Sequence, residues 1–401
     1  MRSKNVTVVG AIDAFFKHGA DFSSANFIER DIYFKETIFD KGVVCFSKAN
    51  CNQGKVNFRS VNFGDYGVDF NRASFGNRKN VFNWAKFGKS NVSFKNANFN
   101  DGRVHFVGAK FEGGNVDFSF VRFGNGGLNF NAADFGKGNV TFHRAHFGEE
   151  NLSFLNITVN SLTFSLNVFR GHTDLRVKVC SYLTINDCVI EKTIKMEKQE
   201  NCQGIKEINL IKTKNLGQIF IRWNEDNIKK LIYSQDSNHK QKAEQFLLLK
   251  ENFHNIGRYD DEDKAYLEYK RCVRKSKSKN EDNLGFNGIW YKVRNPFEWL
   301  IADVIGHYGT NPVRVFISMI CTVFLFAVLY THLGIILPDK SVFESGFLSC
   351  LYYSCITFLT IGYGDLLPAS YKTAFAASTE GFCGVFLMSY FTVSFVRKIL
   401  R

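Results

Sequence analysis

The chain has 401 residues, 43 of them Phe and 32 Gly but only 4 Pro, and a formal net charge of +13. That length allows two or three domains. The charge shows no clustered basic run and no nucleic-acid motif, which excludes a recognisable nucleic-acid module and suits a surface beside anionic lipid.

The N-terminus, MRSKNVTVVGAIDAFF, lacks an apolar stretch long enough for a secretory signal, so the first domain is expected in the cytoplasm. The 10 Cys include no C-x-x-C pair and read as reduced packing residues, not a disulfide framework or zinc site. From Phe22 to Phe154 the phenylalanines fall at alternating steps of five and seven residues, with Cys51 in the one vacancy. A 12-residue period held this long is an internal repeat. Its units read V-x-F-x-x-A-x-F-G-x-G-N, as in VDFNRASFGNRK. Apolar residues two apart share one side of a short strand. Gly, Asn and Lys in the spacer supply turns at positive φ. No 3.6-residue stripe appears, which leaves a solenoid whose coils bury their apolar faces on one another. A flat coil of one repeat and a larger coil of two repeats both satisfy the spacing. Phe with a small apolar residue two before it, repeating at five, resembles the pentapeptide-repeat proteins over residues 10–169. The resemblance implies a right-handed, four-sided β-helix. The seven-residue step departs from it and implies two extra residues at alternate corners, hence two repeats per coil. Lys89, Arg103 and Lys137 in the spacers argue against the DNA mimicry of some relatives.

Residues 170–235 keep short alternating segments such as YLTINDCVI and LGQIFIRW, read as irregular rungs and a cap that complete a solenoid over 1–235. Residues 236–290 hold a helical hairpin, 238–255 and 260–275 with Gly257 at its turn, and then a linker. Residues 291–312, containing NPFEWLIADVIGHYGTNP, read as an amphipathic helix lying in a membrane interface.

Two apolar runs, 313–337 and 371–397, are long enough to cross about 30 Å of hydrocarbon. Arg314 starts the first, and Arg397, Lys398 and Arg401 follow the second, which places both termini in the cytoplasm. The apolar stretch 345–358 is too short to span and reads as a re-entrant pore helix. Irregular backbone at membrane depth is tolerated only when buried in protein or lining a water-filled path. TIGYGD, 360–365, therefore needs its carbonyls to face something polar, and Gly362 and Gly364 permit the alternating conformations this takes. Glu380 is an acid inside a span, costly unless paired. It either braces the back of the loop at 360–365 or sits hydrated at the outer interface.

T-I-G-Y-G-D after a short apolar helix, between two spans with basic ends, resembles the two-transmembrane, one-pore bacterial potassium channels over about 312–401. The resemblance implies a homotetramer whose filter is Thr360, Ile361, Gly362, Tyr363 and Gly364, with carbonyls of the first four replacing the hydration shell of K+. Asp365 caps the outer mouth, and Thr357 braces the loop. Tyr352 and Tyr353 form the aromatic cuff. Ile356 stands where some members carry a Glu, which leaves Tyr353 to Asp365 as the expected outer-mouth bond. Gly384 matches the hinge glycine of the inner helix, with close helix packing as the other reading. Met388 and Thr392 are expected to line the inner cavity and gate.

The chain is thus expected to be multidomain: an all-β solenoid, an α-helical hairpin linker and an α-helical transmembrane pore, assembled as a tetramer. The function expected is passive potassium conduction, with no enzymatic activity, no cofactor and no nucleic-acid partner. The solenoid would serve assembly or gating, with room for an unidentified cytoplasmic regulator. The protein is expected in the bacterial plasma membrane as a multi-pass protein. The alternative is a solenoid scaffold tethered to the bilayer by a non-conducting pore.

Overall fold

A computed structural model describes residues 8–27, 31–51, 54–280, 296, 298–336 and 346–400. The chain divides into two compact units, Met1–Tyr269 and Lys270–Arg401.

The first unit is a β-solenoid. Its strands are mostly very short and pair in parallel with partners two repeats further on, as in Val44↔Val68 and Val92↔Val116. Two walls are ladders of ten and nine strands. Isolated bridges such as Asn50↔Ser74 and Ile38↔Asn62 make two more lines. Successive lines pass through residues 32, 38, 44 and 50, one every sixth residue. The coil is therefore four-sided and spans two repeats, which decides between the two coil sizes the sequence left open.

Buried positions come in pairs two apart: Thr37 and Phe39, Val44 and Phe46, Ala49 and Cys51, Val56 and Phe58. Corners between them alternate between short and long, which is how five- and seven-residue steps coexist. The rings stack in columns along the axis, at 4.7 Å for Phe22–Phe46, 4.6 Å for Phe82–Phe106 and 4.5 Å for Phe111–Phe135. That spacing is the separation of hydrogen-bonded strands, about 4.8 Å, so backbone and ring columns share one repeat. Rings on facing walls meet edge-on, as Phe94 and Phe106 do at 87°, the geometry the ring quadrupole prefers, while rings five residues apart tilt, as Phe94 and Phe99 do at 38°. Cys51 is buried, and desolvation pushes its thiol up to about 12, which leaves it an inert filler.

Part of the spacer glycines, such as Gly64 and Gly88, turn at positive φ as expected, while others, such as Gly76, Gly102 and Gly138, do not. The short corners do so as well. From Ser24 to Asn156 every twelfth residue has positive φ, including Glu36, Lys48, Arg72, Trp84 and Phe120, and among these only Gly108 is Gly. A left-handed L-residue costs about 1–2 kcal/mol. Each such corner also donates its N–H to the next coil, as Ser60 does to the Asn83 carbonyl at 2.9 Å and Arg72 to that of Lys95 at 2.9 Å. The ladder thus runs through the corner and offsets its strain.

Around Thr158 the coils become irregular, shorter in the register of Asn139↔Ser161 and Thr173↔Ile194 and longer in that of Val179↔Gly204, and one wall lengthens to the strands Thr158–Ser165 and Val179–Asn186. The Phe period stops where the coil length changes. Three helices follow: α1 (Ile228–Tyr233), α2 (His239–Asn255) and α3 (Tyr259–Asn280). Asn238 and Gln241 form a capping box at the start of α2, and Gly257, at φ 73°, turns the chain into α3. α2 closes the open end of the solenoid. Gln245 Oε1 accepts from Leu210 N at 2.9 Å, Glu244 Oε1 from Lys212 N at 2.8 Å and Asn252 Oδ1 from Ile219 N at 2.8 Å.

In the second unit, where an amphipathic helix over 291–312 is expected, the described residues 296 and 298 are helical and Trp299–Ile305 continues as a π-helix, broken at 306–309 by a 3-10 turn, His307–Gly309. His307, Tyr308 and Gly309 all take positive φ, which an α-helix cannot accommodate. Buried Asp303 binds Arg271 at 2.8 Å and Arg274 at 3.2 Å. Residues 291–295 and 297, and the linker at 281–290, lie outside the described residues. Three helices complete the unit: α4 (Pro312–Leu333), α5 (Phe347–Phe358) and α6 (Tyr371–Ile399). Ile335–Ile336 pairs antiparallel with Leu367–Pro368, tying the end of α4 to the segment before α6.

Candidate functional site

α4 and α6, of 22 and 29 residues, are long and apolar enough to cross a membrane, whereas α5 has only 12 residues. Asn311 caps α4 by accepting from Arg314 N, and Pro312 opens its first turn. Much of the apolar surface of both long helices is exposed, including Phe316, Leu325, Phe375, Phe382 and Val393. Such a surface requires lipid or further protein.

α5 is held between the long helices by a small core. Tyr330, Cys350, Tyr353, Ile356, Leu366 and Ala376 pack together. The Tyr330 and Tyr353 rings meet edge-to-face at 4.9 Å. Behind this core lies Glu380, fully buried in α6. Tyr330 of α4 donates to its Oε2 at 2.6 Å, and the Ser354 hydroxyl of α5 contacts Oε1. Ser354 Oγ also lies 2.9 Å from the Val323 carbonyl of α4. One carboxyl therefore joins all three helices. Of the two readings of Glu380, hydration at an interface is excluded by this burial. Tyr330 and Ser354 escaped the sequence reading. An acid in an apolar helix demands hydroxyl partners, but nothing in the spacing says which ones.

The segment after α5 hangs from its C-terminal turn. Thr360 N donates to the Thr357 carbonyl at 3.0 Å, and Ile361 N to the Ile356 carbonyl at 2.9 Å. Thr360, Gly362 and Gly364 take φ of 56°, 59° and 77°, while Ile361 and Tyr363 do not take positive φ. Handedness thus alternates from Thr360 to Gly364. The segment 359–364 is exposed throughout, with Tyr363 70% accessible. No atom lies within 4 Å of where a Cβ on Gly362 or Gly364 would stand, so φ, not crowding, accounts for glycine there.

Asp365 is held by Tyr352, whose hydroxyl donates to Oδ2 at 2.8 Å. The bond expected from Tyr353 is not formed. Adjacent residues of a helix point about 100° apart, and Tyr353 is turned inward onto Tyr330. The other carboxylate oxygen of Asp365, Oδ1, is buried without a hydrogen-bond partner among the described residues.

α6 runs unbroken through Gly384. This glycine is buried, and a Cβ there would overlap the Phe358 carbonyl at the end of α5. Its visible role is close packing. Gly384, Met388 and Thr392 fall on one face of α6, each one turn from the last. Met388 is half-buried, and Thr392 is exposed with its hydroxyl bonded to the Met388 carbonyl at 2.9 Å.

A family model described as an ion channel matches residues 318–401. That range takes in most of α4, all of α5, the 360–365 segment and α6. The match supports an ion channel in this part of the chain and, with the two apolar helices, a membrane location. No curated protein and no solved structure matched the chain.

Proposed function

We propose that the protein is a potassium-selective channel in which four copies bring their 360–364 segments around one axis. The observation that carries this reading is the segment's backbone: exposed, suspended from a short helix, and alternating in handedness at Thr360, Gly362 and Gly364. Alternating handedness turns successive peptide groups the same way, which is what a column of carbonyls needs. One chain supplies one such segment, and one segment cannot encircle an ion. The orphaned Asp365 Oδ1 fits the same picture, since a buried acceptor ordinarily has a donor and a neighbouring copy can supply it. Potassium is chosen over other ions on the T-I-G-Y-G-D sequence, with Thr360, Ile361, Gly362 and Tyr363 offering the carbonyls.

Around this filter, Tyr352 and Asp365 steady the outer mouth. Thr357, Tyr353 and Glu380 support it from behind, and Met388 and Thr392 line the inner path. The solenoid, of pentapeptide-repeat type by its sequence and its four-sided coil, serves assembly or gating from the cytoplasm. The test is potassium against sodium flux in liposomes holding the purified protein, beside a truncated chain beginning near residue 285. Potassium-selective flux blocked by barium is expected. Absence of flux from both proteins in their folded, assembled state would overturn the reading and favour a tethered scaffold.

A further inference from the structure

Stacking of successive coils assembles side chains that are far apart in sequence. Asn98, Arg122 and His146 lie one above another in a ladder of bridges. Asn96, Phe120 and Arg144 stack at the adjoining corner, at φ 58°, 59° and 49°. Their rungs are about 4.8 Å apart. The two rows form the sides of a cleft of about 810 Å³, within the range of small-molecule sites. No carboxylate lines it. Among the described residues neither Arg122 nor Arg144 joins an ion pair. Like charges on neighbouring rungs repel, so this stack is left wanting an anion. Phe120 is 40% exposed and backed edge-on by the His143 ring at 5.3 Å, with its other surface open.

We propose that this cleft binds a nucleotide, with its phosphates on Arg122 and Arg144 and its base against Phe120. Two guanidinium forks one coil apart can each take two phosphate oxygens. Asn96, Asn98 and His146 add polar groups along the same sides. A base stacks on an aromatic ring without regard to its pattern of donors, and the exposed Phe120 gives it a platform that a phosphate-only site would not need. The sequence hides this site because its three rungs are spread from position 96 to position 146. The inference concerns the solenoid alone and holds whether or not the pore conducts.

The experiment is equilibrium dialysis of the full-length protein in detergent against ATP, pyrophosphate and adenosine in parallel. ATP is expected to bind once per chain, more tightly than pyrophosphate, with adenosine weakest. The double variant Arg122→Ala, Arg144→Ala should weaken ATP at least about tenfold. Phe120→Ser should weaken ATP while leaving pyrophosphate unchanged. All three positions are on the surface, so circular dichroism will confirm that the solenoid stays folded. No ATP binding at about 1 mM, or binding indifferent to the arginine pair, overturns the site. Pyrophosphate binding as tightly as ATP, with Phe120→Ser silent, overturns the assignment to a nucleotide.

Discussion

Glu380 offers the sharpest test of how the channel unit is held together. Glu380→Ala removes a fully buried carboxyl that contacts Tyr330 and Ser354. Ser354 keeps an acceptor, the Val323 carbonyl 2.9 Å away, but Tyr330 loses its partner in a buried site. The orphaned hydroxyl costs ~1–3 kcal/mol, and the space vacated by the side chain adds to this as buried truncations generally do. Together the loss is ~3–5 kcal/mol per chain. Glu380→Gln is different. Its amide oxygen can still accept from Tyr330, and its NH2 can donate to Ser354, which in turn donates to Val323. It should cost under ~1 kcal/mol. Melting of the purified protein in detergent is the first assay, with a drop above ~10 °C expected for Ala and a small one for Gln. Single-channel recording is the second. If the carboxyl positions α5, Ala should shorten open-filter lifetimes and Gln should restore them. A Glu380→Ala protein that melts with the wild type and conducts as it does would refute the argument.

Tyr352→Phe deletes the 2.8 Å bond to Asp365 and should speed closure of the filter in macroscopic recordings, whereas Tyr353→Phe, which keeps its ring against Tyr330, should change it little. Gly384→Ala forces a Cβ onto the Phe358 carbonyl and should lower the melting temperature in detergent; a hinge role alone would alter gating with stability intact. Asn252→Ala leaves both the N–H and the carbonyl of Ile219 unpaired at the capped end, and denaturant unfolding should show a loss of ~2–4 kcal/mol. Burial, with Lys79 and Arg103 nearby, holds His105 below the ordinary imidazole value. The fold therefore favours its neutral form, and this contribution, present above about pH 6.5, is lost as pH falls toward the folded value. Solenoid melting followed from pH 7.5 to 5 should drop in the wild type and drop less in His105→Gln.

The periodic half of the fold was legible because one residue type marks it. Phe is buried at nearly every repeat, and its five–seven alternation carries the corner lengths directly. The short corners were not legible, since Glu36, Lys48, Arg72, Trp84 and Phe120 have no turn signature in common. What holds them left-handed is a hydrogen bond to the next coil, as from Ser60 to Asn83. In the channel unit the helices and the 360–365 segment were visible from hydropathy and glycine. Which of two adjacent tyrosines meets Asp365 depended on Tyr330, a residue of another helix. The break at 306–309 was not legible for a similar reason. The apolar face of the helix before it was apparent, but Asp303 answers to Arg271 and Arg274, far upstream in α3.

A single accounting of backbone hydrogen bonds links the solenoid to the proposed pore. Each coil of the solenoid depends on its neighbours for most of its peptide groups: Phe58 N donates to Val81 of the next coil and Phe82 N to His105, both at 2.7 Å, while Lys86 N donates back to Val61 of the preceding one at 2.7 Å. Such a stack must be stopped, and it is stopped by side chains, with Gln245, Glu244 and Asn252 accepting what a further coil would have accepted. The segment from Thr360 to Gly364 has the same deficit with no such remedy. Its first N–H groups return to α5, but the rest of it stands exposed, and in the proposed channel it would lie at membrane depth, where water is scarce. In the proposed assembly, copies of the segment around a column of desolvated cations would satisfy its carbonyls, where in the solenoid it is the N–H groups that need acceptors beyond the last coil. If the proposed filter is right, residues 360–364 should lose their order when potassium is removed, as hydrogen exchange of the full-length protein would show, while the solenoid, capped within its own chain, should not.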